Sequence, residues 1–362
     1  MATDQAAAQP AFDEAKLEAF MEKAIGNLSG TMTTIQCVLG DRLGLFKDLA
    51  ENGPATAENL AARAGVNERY ATEWLRGMAS AGYLEQDRDS GRFSMPPEHA
   101  LVLAQEGSPM FFGGGYQMIP GMMAVLDELT DAFRKGGGVK QDAYPDDWWE
   151  GMQRFSDGFF ENFLLQQWIP AVPDAQKKLE DGGLYADVGC GSGRALLKLA
   201  AAFPNSEFVG YDISKQQLKR AKANAKAAGV DKRVRFEQKD VNEGLPEQYD
   251  VISTYDVVHD AVDPQGLLTA IRQGLNDDGI YICLDINCAD DHADNEGPLA
   301  SMFYGFSVTY CMTTSLANDG EGLGTCGLPE SKLRELCDEA GFSSVKRVEL
   351  ENPFNNLYEA RA

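Results

Sequence analysis

The chain has 362 residues, 44% hydrophobic and 24% charged, an ordinary globular composition with length for about two domains at roughly 150 residues each. Its 32 Lys and Arg against 56 Asp and Glu leave a net charge of −24, which argues against nucleic acid and against an anionic membrane, both of which are held by basic side chains. No apolar run approaches the roughly 20 residues that span a bilayer, no basic-then-apolar leader is read at the start, and seven scattered cysteines without a CxxC pair suit reduced thiols in a cytoplasmic protein.

Phe12, Leu17, Phe20, Met21, Ile25 and Leu28 recur at helical spacing and predict a helix over about 12–30, within an N-terminal arm of residues 1–32. Residues 33–100 then read as helix, helix, helix and a two-stranded wing. One helix runs through Leu43–Leu49. Thr56 caps the next and Gly65 ends it, and Gly82 closes the one after. YLEQ and RFSM flank the turn signal DRDSG. This winged helix-turn-helix layout suggests DNA, but acids outnumber bases in it. The candidate recognition helix, Asn67–Met78, carries Glu68 and Glu73 beside Arg69 and Arg76. A dimerisation module is the expectation. Residues 101–175 are helical and aromatic, with glycines at 113–115 and 136–138 expected to interrupt them. Core packing and a pocket-lining connector are both open there.

From residue 176 to 362 strands and helices alternate, which predicts a parallel sheet with helices on both faces. Its first strand runs into Asp187-Val188-Gly189-Cys190-Gly191-Ser192-Gly193. Glycines there allow positive φ and close approach to a ligand. The spacing is neither the NAD fingerprint nor a Walker loop. Asp212 ends the next strand, where a carboxylate can accept from ribose hydroxyls. Asp240 ends the third, within reach of an adenine amino group.

These residues resemble the class I S-adenosylmethionine-dependent methyltransferases, firmly over about 180–290. The resemblance implies an α/β, Rossmann-like seven-stranded domain. It implies that S-adenosylmethionine lies against Asp187, Gly189, Cys190, Gly191, Gly193, Asp212, Ile213, Asp240, Val241 and Tyr255. With the winged helix in front, the chain is also similar to caffeate-type and antibiotic O-methyltransferases. It is closer to a bacterial winged-helix group with mycobacterial members, on Phe303-Tyr304-Gly305-Phe306-Ser307, Cys311-Met312, Ser315-Leu316-Ala317 and Gly322-Leu323-Gly324.

The chain has three histidines. His259 and Asp260 follow the fourth strand where the O-methyltransferases carry a His-Asp pair, and the resemblance makes His259 the general base, a role its near-neutral pKa suits. A loop residue capping the next helix is the plainer reading. Asp285 and Glu321 are candidate partners for the ring. His292, in Asp290-Asp291-His292-Ala293-Asp294, reads as a solvated acidic loop, and no metal is expected. Phe159, Phe163, Met302, Phe306 and Tyr310 are expected to face a small-molecule acceptor. The expected activity is methylation of a hydroxyl. Methylation of a thioether, such as a methylthio-hydroxy acid, needs no base and is the alternative. A cofactor-sensing winged-helix regulator is an alternative of another class. A homodimer through the N-terminal domain is implied by the same resemblance.

Overall fold

In the computed structural model, which describes residues 12–362, the first helix is longer than its apolar spacing suggests: α1 runs Glu14–Arg42. Asp13 caps it by accepting the Lys16 backbone N–H at 3.2 Å, a standard use of a short acidic side chain. The arm expected over residues 1–32 thus has no boundary at 32, and its first eleven residues lie outside the described residues. Gly44, at φ 66°, makes the turn into α2 (Leu45–Asn52). Thr56 caps α3 (Ala57–Ala64) through the Asn59 N–H, and Asn67 caps α4 (Glu68–Ser80). Two short strands, β1 (Glu85–Gln86) and β2 (Phe93–Ser94), pair antiparallel as the wing, and α5 (Pro97–Leu103) follows. Phe46, Leu60, Leu75 and Met78 fill the core. The Trp74 indole closes it by donating to the Gln36 carbonyl at 2.9 Å. The winged-helix reading holds. On α4 Arg69 pairs with Glu73 of its own helix, so a cation that DNA would need is already neutralised.

The chain divides into two units, one ending at Gln105 and one running Glu106–Ala362. The second begins with α6 (Gly113–Ala124), α7 (Leu126–Lys135) and α8 (Asp146–Phe159), continued by a π-helical stretch, Phe160–Trp168, and α9 (Pro173–Asp181). Gly113–Gly115 do not interrupt a helix; they form the first turn of α6. A Cβ on Gly114 would sit 2.3 Å from the Phe155 backbone nitrogen, and one on Gly151 would sit 2.7 Å from the Gly114 carbonyl. The glycines are there so that α6 and α8 can touch backbone to backbone. Gly136 and Gly137, both at positive φ, do end α7.

The sheet that follows contains β3 (Leu184–Val188), β4 (Glu207–Asp212), β5 (Val234–Gln238), β6 (Tyr249–Tyr255), β7 (Leu275–Ile286), β8 (Ser344–Val348) and β9 (Asn355–Arg361), in the order β5-β4-β3-β6-β7-β9-β8. All pairs are parallel except those made by β9. Helices α10 (Arg194–Ala202), α11 (Lys215–Ala227), α12 (Pro264–Gln273), α13 (Gly297–Phe306), α14 (Met312–Leu316) and α15 (Glu330–Glu339) complete the unit. Successive strand residues point to opposite faces. Tyr185, Val251 and Ile282 therefore fill one core layer, while Ala186, Ile252 and Tyr281 fill the other. Strand order reverses beside β3, and in open α/β sheets ligands bind at the carboxyl ends of strands at that point.

Candidate active site

Gly189 (φ 74°) and Gly191 (φ 51°) follow β3 in backbone conformations that favour glycine. A Cβ on Gly189 would lie 2.6 Å from a Val257 methyl, whereas one on Gly191 would meet nothing within 4 Å. One glycine admits a neighbouring side chain; the other leaves the loop bare. The Gly191 N–H donates to Asp212 Oδ2 at 2.9 Å and the Ser214 N–H to Oδ1 at 2.7 Å. Burial raises the Asp212 pKa and these backbone donors oppose it. Each Asp212 oxygen keeps a further lone pair for a ligand hydroxyl. Asp240 caps the next turn through the Asn242 N–H at 3.0 Å. Above these strand ends lies a cavity of about 280 Å³, lined by Gly189, Gly191, Asp212, Ile213, Asp240 and Val241 on one side and by Trp149, Met152, Tyr310 and Thr314 on another.

Asp256 and Asp260 also line the cavity. Asp256 ends β6 at φ 55°, a left-handed conformation uncommon for a residue with a side chain. Its N–H donates to the Leu284 carbonyl at 2.8 Å, and its Oδ1 accepts from Asn355 at 2.6 Å. Enclosure of the carboxyl group, then the nearby Asp285 charge, raises its pKa. This corner launches the short turn Val258–Asp260. His259 is buried there, 3% exposed. Its Nδ1 lies 2.6 Å from Oδ1 of the buried Asp285, which also accepts the Ile286 N–H at 2.8 Å and the Val258 N–H at 3.1 Å. That carboxylate is an acceptor only, so Nδ1 carries the proton. Nε2 sits 3.1 Å from Asp260 Oδ1. Burial alone lowers the His259 pKa, but Asp260 and Asp285 outweigh it and raise the ring well above its ordinary value. Of the two candidate partners, Asp285 meets the ring. Glu321 instead donates its backbone N–H to the Val262 carbonyl.

Residues 179–318 match the family model described as a methyltransferase domain, and residues 31–105 match the Rv2258c-like winged HTH domain. The chain thus carries a methyltransferase domain and a winged-helix domain. Among curated relatives, the ubiquinone biosynthesis O-methyltransferase of Ruegeria sp. (strain TM1040) is 28% identical over 156 residues, 41% of this chain and 62% of that one. That of Cereibacter sphaeroides (strain ATCC 17029 / ATH 2.4.9) is 32% identical over 107 residues, 30% of this chain and 42% of its own. The chain thus spans about three-fifths or less of these relatives' length. Among solved structures, human N-acetylserotonin methyltransferase in complex with SAM superposes with a TM-score of 0.70 at 16% identity, covering 98% of this chain and 99% of that one. The mitomycin 7-O-methyltransferase MmcR gives 0.68 at 19%, covering 97% and 100%. At such identity the likeness is one of fold.

The cavity of the methyltransferase domain fits S-adenosylmethionine on its own chemistry. Asp212, Asp240, Asp256 and Asp260 face it against, among the described residues, the one cation Lys239, which suits a ligand bearing a sulfonium and an ammonium and disfavours a phosphate. Ile213 and Val241 offer apolar faces for a base. Of the residues expected to touch the cofactor, Gly189, Gly191, Asp212, Ile213, Asp240 and Val241 line the cavity. Asp187 is buried behind it, its Oδ1 accepting from Ser253 at 2.9 Å; burial pushes its carboxyl up to about 7 against that bond. Cys190 is buried beneath the loop, where a Cβ on Gly210 would strike its Sγ at 2.7 Å. Gly193 packs on Phe236. Tyr255 is not among the lining residues: its hydroxyl is 2.9 Å from that of Tyr185, and its ring stacks on Trp168. Of the acceptor set, Tyr310 lines the cavity. Phe306 packs beside it, Phe159 and Phe163 stack on each other, and Met302 is half-buried on α13. Asp256, three residues before His259, was legible as part of the same motif and was missed. Trp149, Met152 and Thr314 carried no local signal.

Proposed function

We propose that the chain is an S-adenosylmethionine-dependent methyltransferase acting on a hydroxyl of a small molecule, with His259 as general base. The observation that carries this reading is the buried Asp285–His259 pair, with Nε2 beside Asp260, which lines the cavity. Bound S-adenosylmethionine supplies an electrophilic methyl group on a sulfonium. Asp212 and Asp240 hold the nucleoside, and Gly189 and Gly191 keep side chains out of its way. Asp285 keeps the proton on Nδ1, which leaves Nε2 as the atom that takes a proton. The buried ring and the aromatic wall of Trp149 and Tyr310 exclude water, which would otherwise compete as acceptor. The test is a screen of hydroxyl, amine and thioether acceptors scored by S-adenosylhomocysteine release, repeated with His259→Ala. Turnover of a hydroxyl acceptor that survives the substitution would sink the base assignment.

A second reading, methylation of a thioether, is favoured by one observation. Two carboxylates flank His259 and favour its protonated form, and a thioether has no proton to lose. Proximity and alignment would then suffice. The reading as a cofactor-sensing regulator has the winged helix in its favour and the acids of α4 against it.

The chain is further proposed to work as a homodimer through α1, in a reducing cytoplasm. All seven cysteines are free thiols. Among the described residues no helix is long and apolar enough to cross a membrane.

A further inference from the structure

The wall of the cavity is uneven in charge. Lys239 stands beside Asp240 and gives its backbone N–H to the Asp212 carbonyl at 3.1 Å, on the nucleoside side. The other side is formed by Gln141, Trp149, Met152, Asp260, Tyr310 and Thr314 and holds no Lys or Arg among the described residues. Asp260 Oδ1 is buried and lies 3.1 Å from His259 Nε2, where the protonated ring donates to it. The Asp260 side chain nevertheless keeps 26% of its surface exposed. Oδ2 is therefore the oxygen that opens to the cavity. Burial, then the Asp260 charge, raises the Tyr310 hydroxyl, so the carboxylate is within electrostatic reach of that ring. Trp149 meets Tyr310 edge-on, with centroids 6.1 Å apart at 83°. Two rings at right angles beside an open carboxylate oxygen suit an organic cation, which gains cation–π attraction and a charge-assisted hydrogen bond.

We propose that this corner is a subsite for a protonated amine, and that the acceptor is a hydroxyl compound carrying an ammonium group held by Asp260 Oδ2, Trp149 and Tyr310. The inference rests on reading the cavity as the place of methyl transfer to a hydroxyl. An acceptor bearing a carboxylate or phosphate meets no cation on this side of the wall. The protonated nitrogen has no lone pair to take a methyl group, so the hydroxyl is left as the nucleophile. The ammonium also draws charge from the carboxylate that holds the Nε2 proton, so the acceptor helps to free the base it needs.

The test is calorimetric binding of two matched sets of hydroxyl compounds, at up to millimolar concentration, to full-length protein saturated with S-adenosylhomocysteine. One set is tyramine, propylphenol and hydroxyphenylpropionate; the other is aminopropanol, butanol and hydroxybutyrate. Each keeps its hydroxyl and changes only the end group, from ammonium to methyl to carboxylate. In at least one set the ammonium compound should bind about ten- to a hundredfold tighter than the methyl compound, and the carboxylate compound weaker still. Asp260→Asn should cut that preference to about threefold or less while S-adenosylhomocysteine still binds. Should this variant lose S-adenosylhomocysteine, Trp149→Leu takes its place, with the preference falling by about three- to tenfold. Tighter binding of the carboxylate compounds, equal or undetectable binding across both sets, or a preference unchanged by the substitution overturns the proposal. Binding is read without turnover. An ammonium preference in a protein that methylates no hydroxyl acceptor would sink the methylation reading and leave the subsite standing.

Discussion

At His259 the two flanking carboxylates have opposite consequences for a base. They make the ring more basic, and they also favour its protonated form. Because its pKa is raised, the free base forms only as pH climbs through that higher value. Hydroxyl methylation should therefore rise with pH well above 6.5, with kcat measured from pH 6 to 10 as the check. A flat profile points to the thioether reading. His259→Ala should cost at least about a hundredfold in kcat. Asp187 makes a different prediction. Its carboxyl is raised to about 7, so the folded state favours the proton, and the stability this lends is present below 3.8 and lost as pH rises through 7. Asp187→Asn should gain melting temperature over wild type progressively across that window and hold the gain above it. The His-Asp pair was readable because both residues are adjacent in sequence. Asp285 was readable only as one of two candidates, since β7 is set beside β6 by sheet pairing that a linear pattern does not contain.

Among elements, the α6–α8 pair carries the clearest lesson. Glycine in a linear pattern reads as a break, because its usual effect is to free the backbone. At Gly114 and Gly151 the absent Cβ matters instead, since the helices meet backbone to backbone. Gly151→Ala should separate them and lower stability by about 1–3 kcal/mol. Trp149 and Met152 stand on the same helix and line the cavity, so acceptor KM should rise more than kcat falls; steady-state kinetics with a thermal melt would show the split. The alternation of strands and helices was legible because buried parallel strands read as apolar runs. The aromatic wall was not: which ring faces core and which faces cavity is a matter of a partial helical turn. Tyr310 faces inward to the ligand space, while Phe159 and Phe163 face each other.

For the whole molecule, the sequence signal for α1 was right about the helix, and the structure adds that its apolar side is bare. Phe12, Phe20, Met21, Ile25 and Leu28 are between 52% and 73% exposed, and Met32, Ile35 and Leu39 between 46% and 52%. Apolar surface continuous over so many turns marks an interaction site, and a second copy of the same helix can satisfy it isologously. Sedimentation should show a dimer at micromolar concentration, and Phe20→Asp with Leu28→Asp should give a monomer that keeps its cofactor affinity. Duplex DNA should show no tight, salt-steep binding. The charge of −24 gives that expectation its footing, and the Arg69–Glu73 pair sharpens it.

The antiparallel strand β9 enters the sheet between β7 and β8, and the residues at its start reach the corner that carries Asp256 and His259. The Phe354 carbonyl accepts the Asn287 N–H at 2.8 Å, and Asn355 holds Asp256. The nucleoside half of the cavity, from Gly189 to Val241, meets β9 through a shared apolar core. During synthesis, then, the cofactor side has its residues more than a hundred positions before the acid-base corner is pinned. The hold of Asn355 on Asp256 can be removed while the strand stays: Asn355→Ala should keep cofactor affinity and lower kcat.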